Sequence, residues 1–378
     1  MYELFVRDKY FTKVAQIDNY QSLDAVMRFN APGSWVLELP SNTEAAQYLI
    51  KPKAGIVVEK DGKTLFSGPV TGINRKWDKD GDLLTVNGYD DLILLQRNLA
   101  YPVPLGPPYT SQDYDIRKGK AETIMKAYLN ANIGVNARSD RKIEITTEAD
   151  AGLGTIITGR ARFQTLLELF TSLALIGGDL GFRIVQVNNA LQFQVYQPSN
   201  KTNIAVFSPG LGNLLGFEYS TEDPEVNYTI VGGIGEGKSR TILEKGDYYS
   251  ITNYGRIEEF LDRRDIDDNT ELAQAMDEEL SSKSRKIKLS ITPIDTDSLS
   301  FGTDYNVGDK VSIILPNSNN SDVDKISDVV REIKITLNQG GVLVNPTIGT
   351  PESMGSKLLS FAEKMSKMKF RMSKLERR

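Results

Sequence analysis

The chain has 378 residues, 40% of them hydrophobic, and a formal net charge of −5, which predicts two to four domains with real cores and argues against a general nucleic-acid binder. It contains neither Cys nor His, which excludes disulfides, thiol nucleophiles, Cys/His zinc sites and every catalytic arrangement that needs an imidazole. An enzyme would have to use carboxylate, Lys, Tyr or oxygen-ligated metal chemistry, so a non-enzymatic role gains weight.

Residues 1–100 predict a meander of short β-strands, which favours a barrel or a sandwich. "YELFVRD" alternates as a half-buried strand does, and "DLILLQRNL" predicts a short closing helix capped by Asp90 or Asp91. Turn-forming pairs divide the strands, and we expect them at Pro32-Gly33, Asp61-Gly62 and Asp80-Gly81. We interpret this region as a first β-barrel domain.

Residues 101–202 predict an α/β insert. Its boundary is "AYPVPLGPPYT" (100–110), which holds four prolines. Apolar residues at helical spacing predict helices over 120–133 and 162–178, the second ended by glycines. A hairpin follows over 181–198, with its turn at Asn188-Asn189.

Residues 203–348 predict a second β-barrel domain, interrupted by a helical insertion at about 262–288. The interruption contains "DNTELAQAMDEELSSKSRK", an exposed amphipathic helix capped near Asp268 or Thr270. Strands resume at "IKLSITPI", "DYNVGDKVSIILP" and "SDVVREIKITLNQGGVLVNPTIG".

The stretch "VGGIGEGKS" matches the nucleotide-binding P-loop, from Gly232 to Lys238 and Ser239. A working P-loop must open a helix, whose free N–H groups complete the anion site. The following "RTILEKGDYYS" has no 3.6-residue apolar stripe and predicts the second strand of a hairpin instead. We therefore interpret the motif as a glycine-rich hairpin loop whose glycines supply positive φ.

Other candidate sites are weaker, and we predict no catalytic, cofactor or metal residues. A GxGxxxG at Gly210, Gly212 and Gly216 is followed by strands, not by the helix that a dinucleotide site requires. Aspartates cluster at 78–82, 262–269 and 320–328, but none of these stretches has the ligand spacing of a calcium loop. A carboxylate-pair glycosidase stays open, because fifty acidic residues guarantee candidate pairs but nominate none.

The C-terminal segment 349–378 predicts an amphipathic helix with a heptad seam. Residues 356–378 hold eight Lys or Arg against two Glu. The helix could pack on its own domain, assemble with copies or a partner, or lie on a membrane surface. The seam residues, spaced 4 and 3 apart in alternation, are Met354, Leu358, Phe361, Met365, Met368, Met372 and Leu375.

The order of motifs along the chain resembles the siphophage tail protein family typified by the ReqiPepy6 phage. The resemblance rests on the opening "MYELFVRDKYFTKVAQIDNYQSLDAVMRFNAPGSWVLELP", then "LILLQRNL", "NYTIVGGIGEGKSRTILEKGD", "LDRRDI" and "DYNVGDKVSII". Members of the family are tail-tip or baseplate hub proteins, similar to the N-terminal structural part of tail-associated lysins and to the hub of contractile tails. The resemblance covers residues 1 to about 350 and implies two similar β-barrels per chain. The barrels at 1–100 and 203–348, with the α/β insert between them, fit that plan, and with the heptad helix they make the expected fold β-rich α+β.

The resemblance also implies a structural function at the tail tip of the virion, after assembly in the host cytoplasm. Three chains would form a ring that closes the tail tube, and the expected partners are the distal tail protein, the tape measure protein and a fibre or receptor-binding protein. Genome DNA would pass through the lumen without specific binding. Many relatives continue into a peptidoglycan hydrolase, whereas this chain stops after the heptad helix, so we expect no enzyme. A cell-wall glycosidase and a host-binding adhesin are the alternatives.

Overall fold

The computed structural model describes residues 1–79, 81–293, 299–315 and 324–349 of the chain. None of the helices in these ranges is long and apolar enough to cross a membrane. The helices are α1 (Glu44–Leu49), α2 (Ile93–Arg97), α3 (Ala121–Asn132), α4 (Leu166–Ile176), α5 (Tyr248–Tyr254) and α6 (Asn269–Ser282). The strands are β1 (Tyr2–Arg7), β2 (Lys13–Gln16), β3 (Ser22–Arg28), β4 (Ala31–Pro40), β5 (Gly55–Lys60), β6 (Lys63–Asp78), β7 (Gly81–Tyr89), β8 (Asp115–Lys120), β9 (Ile145–Thr147), β10 (Ile156–Ala161), β11 (Gly181–Val187), β12 (Ala190–Tyr196), β13 (Val206–Phe207), β14 (Leu214–Glu222), β15 (Tyr228–Gly232), β16 (Ile242–Gly246), β17 (Glu258–Asp262), β18 (Lys286–Pro293), β19 (Lys310–Leu315), β20 (Asp324–Asn338) and β21 (Gly341–Gly349).

A thirteen-stranded sheet, the main sheet, joins the two ends of the described chain. Its strand order is β14-β18-β21-β20-β3-β4-β7-β6-β5-β1-β2, and β19 pairs with both β13 and β20. The junction is the antiparallel pair β20–β3, in which Lys334 lies opposite Val26. Strands from residues 1–100 and from residues 203–348 therefore hydrogen-bond to each other directly.

One apolar core lies on one face of the main sheet. Trp35 and Leu37 from the first region and Ile333 and Ile335 from the last belong to the same buried cluster. The alternation of buried and exposed residues along β3, β4, β7 and β20 follows the period of two that a half-buried sheet requires. The fold is β-rich α+β as predicted, but no closed barrel is found in the described residues.

The insert is a separate α/β layer with its own core, built around α3 and α4. Helix α4 begins with a capping box, in which Thr165 accepts from the Glu168 N–H and Glu168 accepts from the Thr165 N–H. Strands β11 and β12 form the predicted hairpin, whose turn residue Asn188 has a φ of 54°. The predicted helices and the hairpin of this region are confirmed.

Residues 223–285 form what we call the small unit. Its three-stranded sheet has the order β16-β15-β17, and α6 packs on one face through Leu272 and Met276. Asp268 caps α6 by accepting from the Thr270 N–H, as predicted. The sequence indicated only a helical insertion at about 262–288, because α5 and the long-range β15–β17 pairing were not recognised.

Two predicted turns of the first region are displaced. Pro32 and Gly33 lie inside β4, and the turn falls instead at Phe29 and Asn30, since Arg28 pairs with Ala31. The Asp61-Gly62 turn is confirmed by positive φ at both residues. In the third hairpin Gly81 belongs to β7 and pairs with Asp78, so the turn begins one residue earlier than predicted.

Candidate assembly surfaces

A buried polar network around the Arg7–Asp91 ion pair contacts the insert through Gln186 of β11. The Arg7 guanidinium donates to both carboxylate oxygens of Asp91, over 2.7 and 2.5 Å, and only 3% of its side chain is exposed. Ser67 Oγ donates to Asp91 over 2.6 Å and accepts from the Gln186 N–H of β11. Gln186 Oε1 accepts from Arg7, so β1, β6, the start of α2 and the insert meet in one satisfied polar network.

A second contact ties the insert to the β3–β4 turn. The side-chain amide of Asn30 donates to the Leu180 carbonyl over 2.8 Å and accepts from the Phe182 N–H over 2.9 Å. Since one amide satisfies two backbone groups of the insert, the turn and β11 hold a defined relative position. The insert is therefore anchored at two separate points.

The Asp90 carboxylate explains why a glycine stands inside β4. It accepts from the Gly33 and Leu92 N–H groups over 2.8 and 3.1 Å, and a Cβ on Gly33 would lie 2.7 Å from its Oδ2. Desolvation raises the pKa of Asp90 to about 7, and the neighbouring Asp91 adds to this effect. Helix α2 has Leu92 as its N-cap residue and no side-chain cap hydrogen bond, so the predicted cap at Asp90 or Asp91 is wrong. Asp90 instead clamps β4 to the segment before α2.

The face of the main sheet opposite the core is polar, and we call it the polar face. It consists of the outward side chains of β3, β4, β7 and β20. Two of its cations lie against carboxylates: Arg28 Nε donates to Glu332 over 2.8 Å, and Lys334 lies 3.9 Å from Asp24. Thr336 donates to Asp24 over 2.6 Å. The surface is a cross-strand ladder of paired charges and hydroxyl groups.

Apolar side chains are exposed at two other places on the main sheet. Strand β14 ends the sheet, pairs with β18 alone among the described strands, and exposes Leu215 (69%) and Phe217. The β6–β7 hairpin exposes Ile73 and Trp77 (77%) near its tip. An unprotected edge strand with apolar side chains is a site for pairing with another chain, and Trp and Phe are frequent interface anchors. We treat both as candidate subunit contacts.

The glycine-rich motif forms the loop of a β-hairpin. Strands β15 and β16 form the predicted antiparallel hairpin, and residues Gly237–Ser239 make one turn of 3-10 helix instead of opening an α-helix. Gly235 and Gly237 have φ of 106° and 53°, the region that favours glycine. The Arg240 guanidinium donates to the Gly232 and Gly233 carbonyls. The loop therefore seats Arg240 and lacks the helix that a phosphate site needs.

The outward face of the small-unit sheet, which we call the open face, carries apolar and aromatic side chains. Phe260 is 51% exposed and lies in one row with Ile230 and Glu244. Ile242 is exposed on the same face, in the next row with Gly232 and Asp262. Arg240 forms an ion pair with Asp262, and its Cζ lies 5.4 Å from the Phe260 ring centroid. At the other end, Arg256 lies 3.5 Å from the Tyr228 ring centroid. Both guanidinium groups of this face are therefore held against an aromatic ring.

A groove on the insert carries three carboxyl groups. It measures about 890 Å³ and is lined in part by Asp115, Glu148 and Asp150. The hydroxyl group of Thr123 donates to Asp150 over 2.7 Å and lowers the pKa of Asp150. A general acid needs the opposite shift. Among the described carboxyls, a raised pKa is found at Asp90 and Glu279, neither of which lines the groove.

The remaining predicted sites are placed as follows. Gly210 and Gly212 lie in and after a 3-10 turn, and β14 with Gly216 follows, without a helix. In the ranges that the structure describes, no group of three or more acidic side chains could hold a metal ion. The seam residues Met354, Leu358, Phe361, Met365, Met368, Met372 and Leu375 lie outside the described residues.

Comparison with known proteins gives a family and a fold. A family model described as "Siphovirus ReqiPepy6 Gp37-like protein" matches residues 3–350. The sequence matches no curated protein significantly.

Solved structures of phage tail proteins share the fold over nearly their whole length. The 43 kDa tail protein of prophage MuSo2 from Shewanella oneidensis aligns with a TM-score of 0.58 at 11% identity, covering 92% of this chain and 98% of that one. A tail protein from Neisseria meningitidis gives 0.57 at 10% identity, with coverage of 92% and 96%. Prophage tail protein gp18 from Listeria monocytogenes gives 0.56 at 9% identity, with coverage of 97% and 99%.

Proposed function

The chain belongs to the Siphovirus ReqiPepy6 Gp37-like protein family, and on that premise we propose that this phage tail protein is a hub at the tail tip. The single observation that carries the proposal is the family match over residues 3–350, and the fold shared with the tail proteins of three bacterial prophages supports it. The role is structural, with no enzymatic step. Its mechanism lies in the shape and charge of an assembled ring.

We propose that three chains form that ring and close the tail tube. Residues 1–100 and 203–348 would act as two related β units per chain, which would give six units around the axis. Their direct pairing through β20 and β3 supports a rigid arrangement within each chain. The insert would keep a fixed place on the ring, because Gln186 contacts Arg7 and Ser67 and Asn30 binds β11 at a second point. The exposed β14 edge and the β6–β7 hairpin are the proposed subunit contacts.

We propose that the polar face lines the lumen through which the tape measure protein and then DNA leave. Free Lys or Arg side chains would bind phosphates and slow a duplex in a narrow channel. On the polar face Arg28 and Lys334 lie against Glu332 and Asp24, so their charges are locally neutralised. DNA would then pass without specific binding.

The proposed neighbours are the distal tail protein above the ring and a fibre or receptor-binding protein at its other end. The heptad helix of residues 349–378 would serve as the attachment point for the fibre. Removing residues 354–378 should leave a folded ring that no longer recruits the fibre. Recruitment by the truncated protein would contradict this attachment point.

The lumen assignment can be tested in assembled phage. Val36 and Asn87 lie opposite each other on β4 and β7, on the polar face, and Val36 also lies opposite Asp24. Replacing both with Lys adds two positive charges to this face, of which Asp24 can neutralise at most one. We expect normal assembly but slower DNA ejection, with a strong dependence on salt. The control is Tyr249→Lys, on the exposed surface of the small unit. If V36K/N87K leaves the rate of DNA ejection unchanged, the polar face does not line the lumen.

A further inference from the structure

The small unit is joined to the rest of the chain at one place. The chain enters it after Glu222, at the end of β14, and leaves it before Lys286, at the start of β18. These two residues lie opposite each other in the β14–β18 pair. Residues 220–223 are all exposed, so the end of β14 is covered on neither face. Two adjacent strand ends of this kind can act as a hinge.

A row of polar side chains on α6 holds the small unit against the insert. Glu271, Gln274 and Glu278 follow one another at spacings of three and four, so they lie on one side of the helix. Glu271 accepts from both Nε and Nη2 of the Arg160 guanidinium on β10. Glu278 accepts from the Ser172 hydroxyl group of α4 over 2.6 Å. The same side of α6 therefore contacts a strand and a helix of the insert.

Gln274 takes the place of a neighbouring strand beside β10. Its side-chain amide donates to the Thr158 carbonyl over 2.9 Å and accepts from the Thr158 N–H over 3.1 Å. Thr158 lies opposite Lys118 of β8, and in an antiparallel pair the residues that bond to the partner strand alternate with residues that do not. Ile157 and Gly159 therefore bond to β8. The Thr158 N–H is protected by the small unit, whereas its two neighbours are protected by the insert itself.

Among the described side chains this contact is carried by charge and hydrogen bonds, since the apolar clusters of the insert and of the small unit are separate. We propose that the small unit is a hinged flap, which undocks from the insert as a folded body about the paired ends of β14 and β18. Undocking exposes the Arg160 guanidinium and the backbone edge of β10 at Thr158 to a neighbouring protein. The movement belongs to the single chain and does not require the proposed ring.

Hydrogen exchange of the full chain, resolved by residue, tests the flap. Undocking releases the Thr158 N–H without unfolding the insert, so we expect it to exchange faster than the N–H groups of Ile157 and Gly159. Raising the salt to about 1 M weakens the ion pair and should increase the Thr158 rate further. The rates of its two neighbours should stay as they are.

Substitutions on α6 provide the matched comparison. Glu271→Gln keeps the shape of the side chain and removes its charge, which should raise the Thr158 exchange rate about tenfold through a larger undocked population. The control is Asp277→Asn, which breaks an ion pair between the same helix and Lys245 of the small unit. It should leave the Thr158 rate unchanged.

Two results would overturn the proposal. If Thr158 exchanges at the same rate as Ile157 and Gly159, the contact opens only when the insert unfolds. If Glu271→Gln leaves the Thr158 rate unchanged, the polar row does not hold the small unit in place. Should Glu271→Gln unfold the small unit, as a loss of protection in β15 would show, Arg160→Gln on the insert replaces it and must give the same increase.

Discussion

At the residue scale, the buried Arg7–Asp91 pair joins β1 to the segment before α2, and Arg7 also donates to Gln186 of the insert. Replacing Arg7 with Met leaves a buried carboxylate without its cation, which costs about 3–5 kcal/mol of unfolding free energy. The control is Arg75→Met, which breaks the exposed Arg75–Asp82 pair and should change stability little. Denaturant unfolding measures both. If Arg7→Met has the same unfolding free energy as Arg75→Met, the buried ion pair does not stabilise the fold.

Asp90 gives a pH dependence of known sign. Its folded pKa of about 7 lies above the ordinary 3.8, so between these values the folded state binds more protons than the unfolded state. Stability contributed by this group therefore falls as pH rises from about 4 to 7. The unfolding free energy of Asp90→Asn relative to wild type should rise over that range by up to about 4 kcal/mol. If the difference in unfolding free energy between the two proteins does not change with pH, desolvation does not raise the pKa of Asp90.

The sequence contained only part of this residue-scale information. The turns at Asn188 and at Asp61-Gly62 can be predicted from the sequence. Asn, Asp and Gly tolerate positive φ, and this tolerance depends on the residue itself and not on distant contacts. Gly33 was assigned to a turn for the same reason, but the structure uses it to admit the Asp90 carboxylate from a distant part of the chain. Nothing in the neighbouring residues distinguishes these two uses of glycine.

At the element scale, the close approach of strands around Trp35 sets a testable constraint. A Cβ on Gly88 of β7 would lie 2.1 Å from the Pro69 carbonyl oxygen and 2.6 Å from the Trp35 ring. Gly88→Ala should therefore lower the unfolding free energy by about 1–3 kcal/mol. Gly216→Ala is the matched control in strand β14, because its Cβ would meet nothing within 4 Å. Equal stability of the two variants would contradict this packing.

Element identity was predicted well where the pattern is local and poorly where it is not. Helices α3 and α4 follow from their apolar spacing, and α6 follows from its amphipathic pattern and the Asp268 cap. Helix α5 was missed because its seven residues, "YYSITNY", are mostly poor helix formers, although Asp247 caps it through the Ser250 N–H. The two separate barrels were expected because no local pattern reveals that Thr336 lies beside Asp24, 312 residues away.

At the scale of the whole molecule, the β14 edge is the proposed subunit contact that can be tested most simply. Leu215→Asp with Phe217→Asp places two charges on this exposed edge, where charged side chains discourage strand pairing. Because both positions are exposed, each chain should still fold. We expect the trimer to dissociate at concentrations at which the wild type stays assembled, as sedimentation would show. If the variant trimer dissociates at the same concentration as the wild type, the subunits do not contact each other through the β14 edge.

The trimer is the central claim, and the mass of the purified full chain by light scattering tests it most directly. The account predicts three times the 42.0 kDa of one chain, and the same number of copies for a protein ending at Gly349 if the β units form the contacts. A mass of one chain at every concentration measured would contradict the trimeric ring in solution.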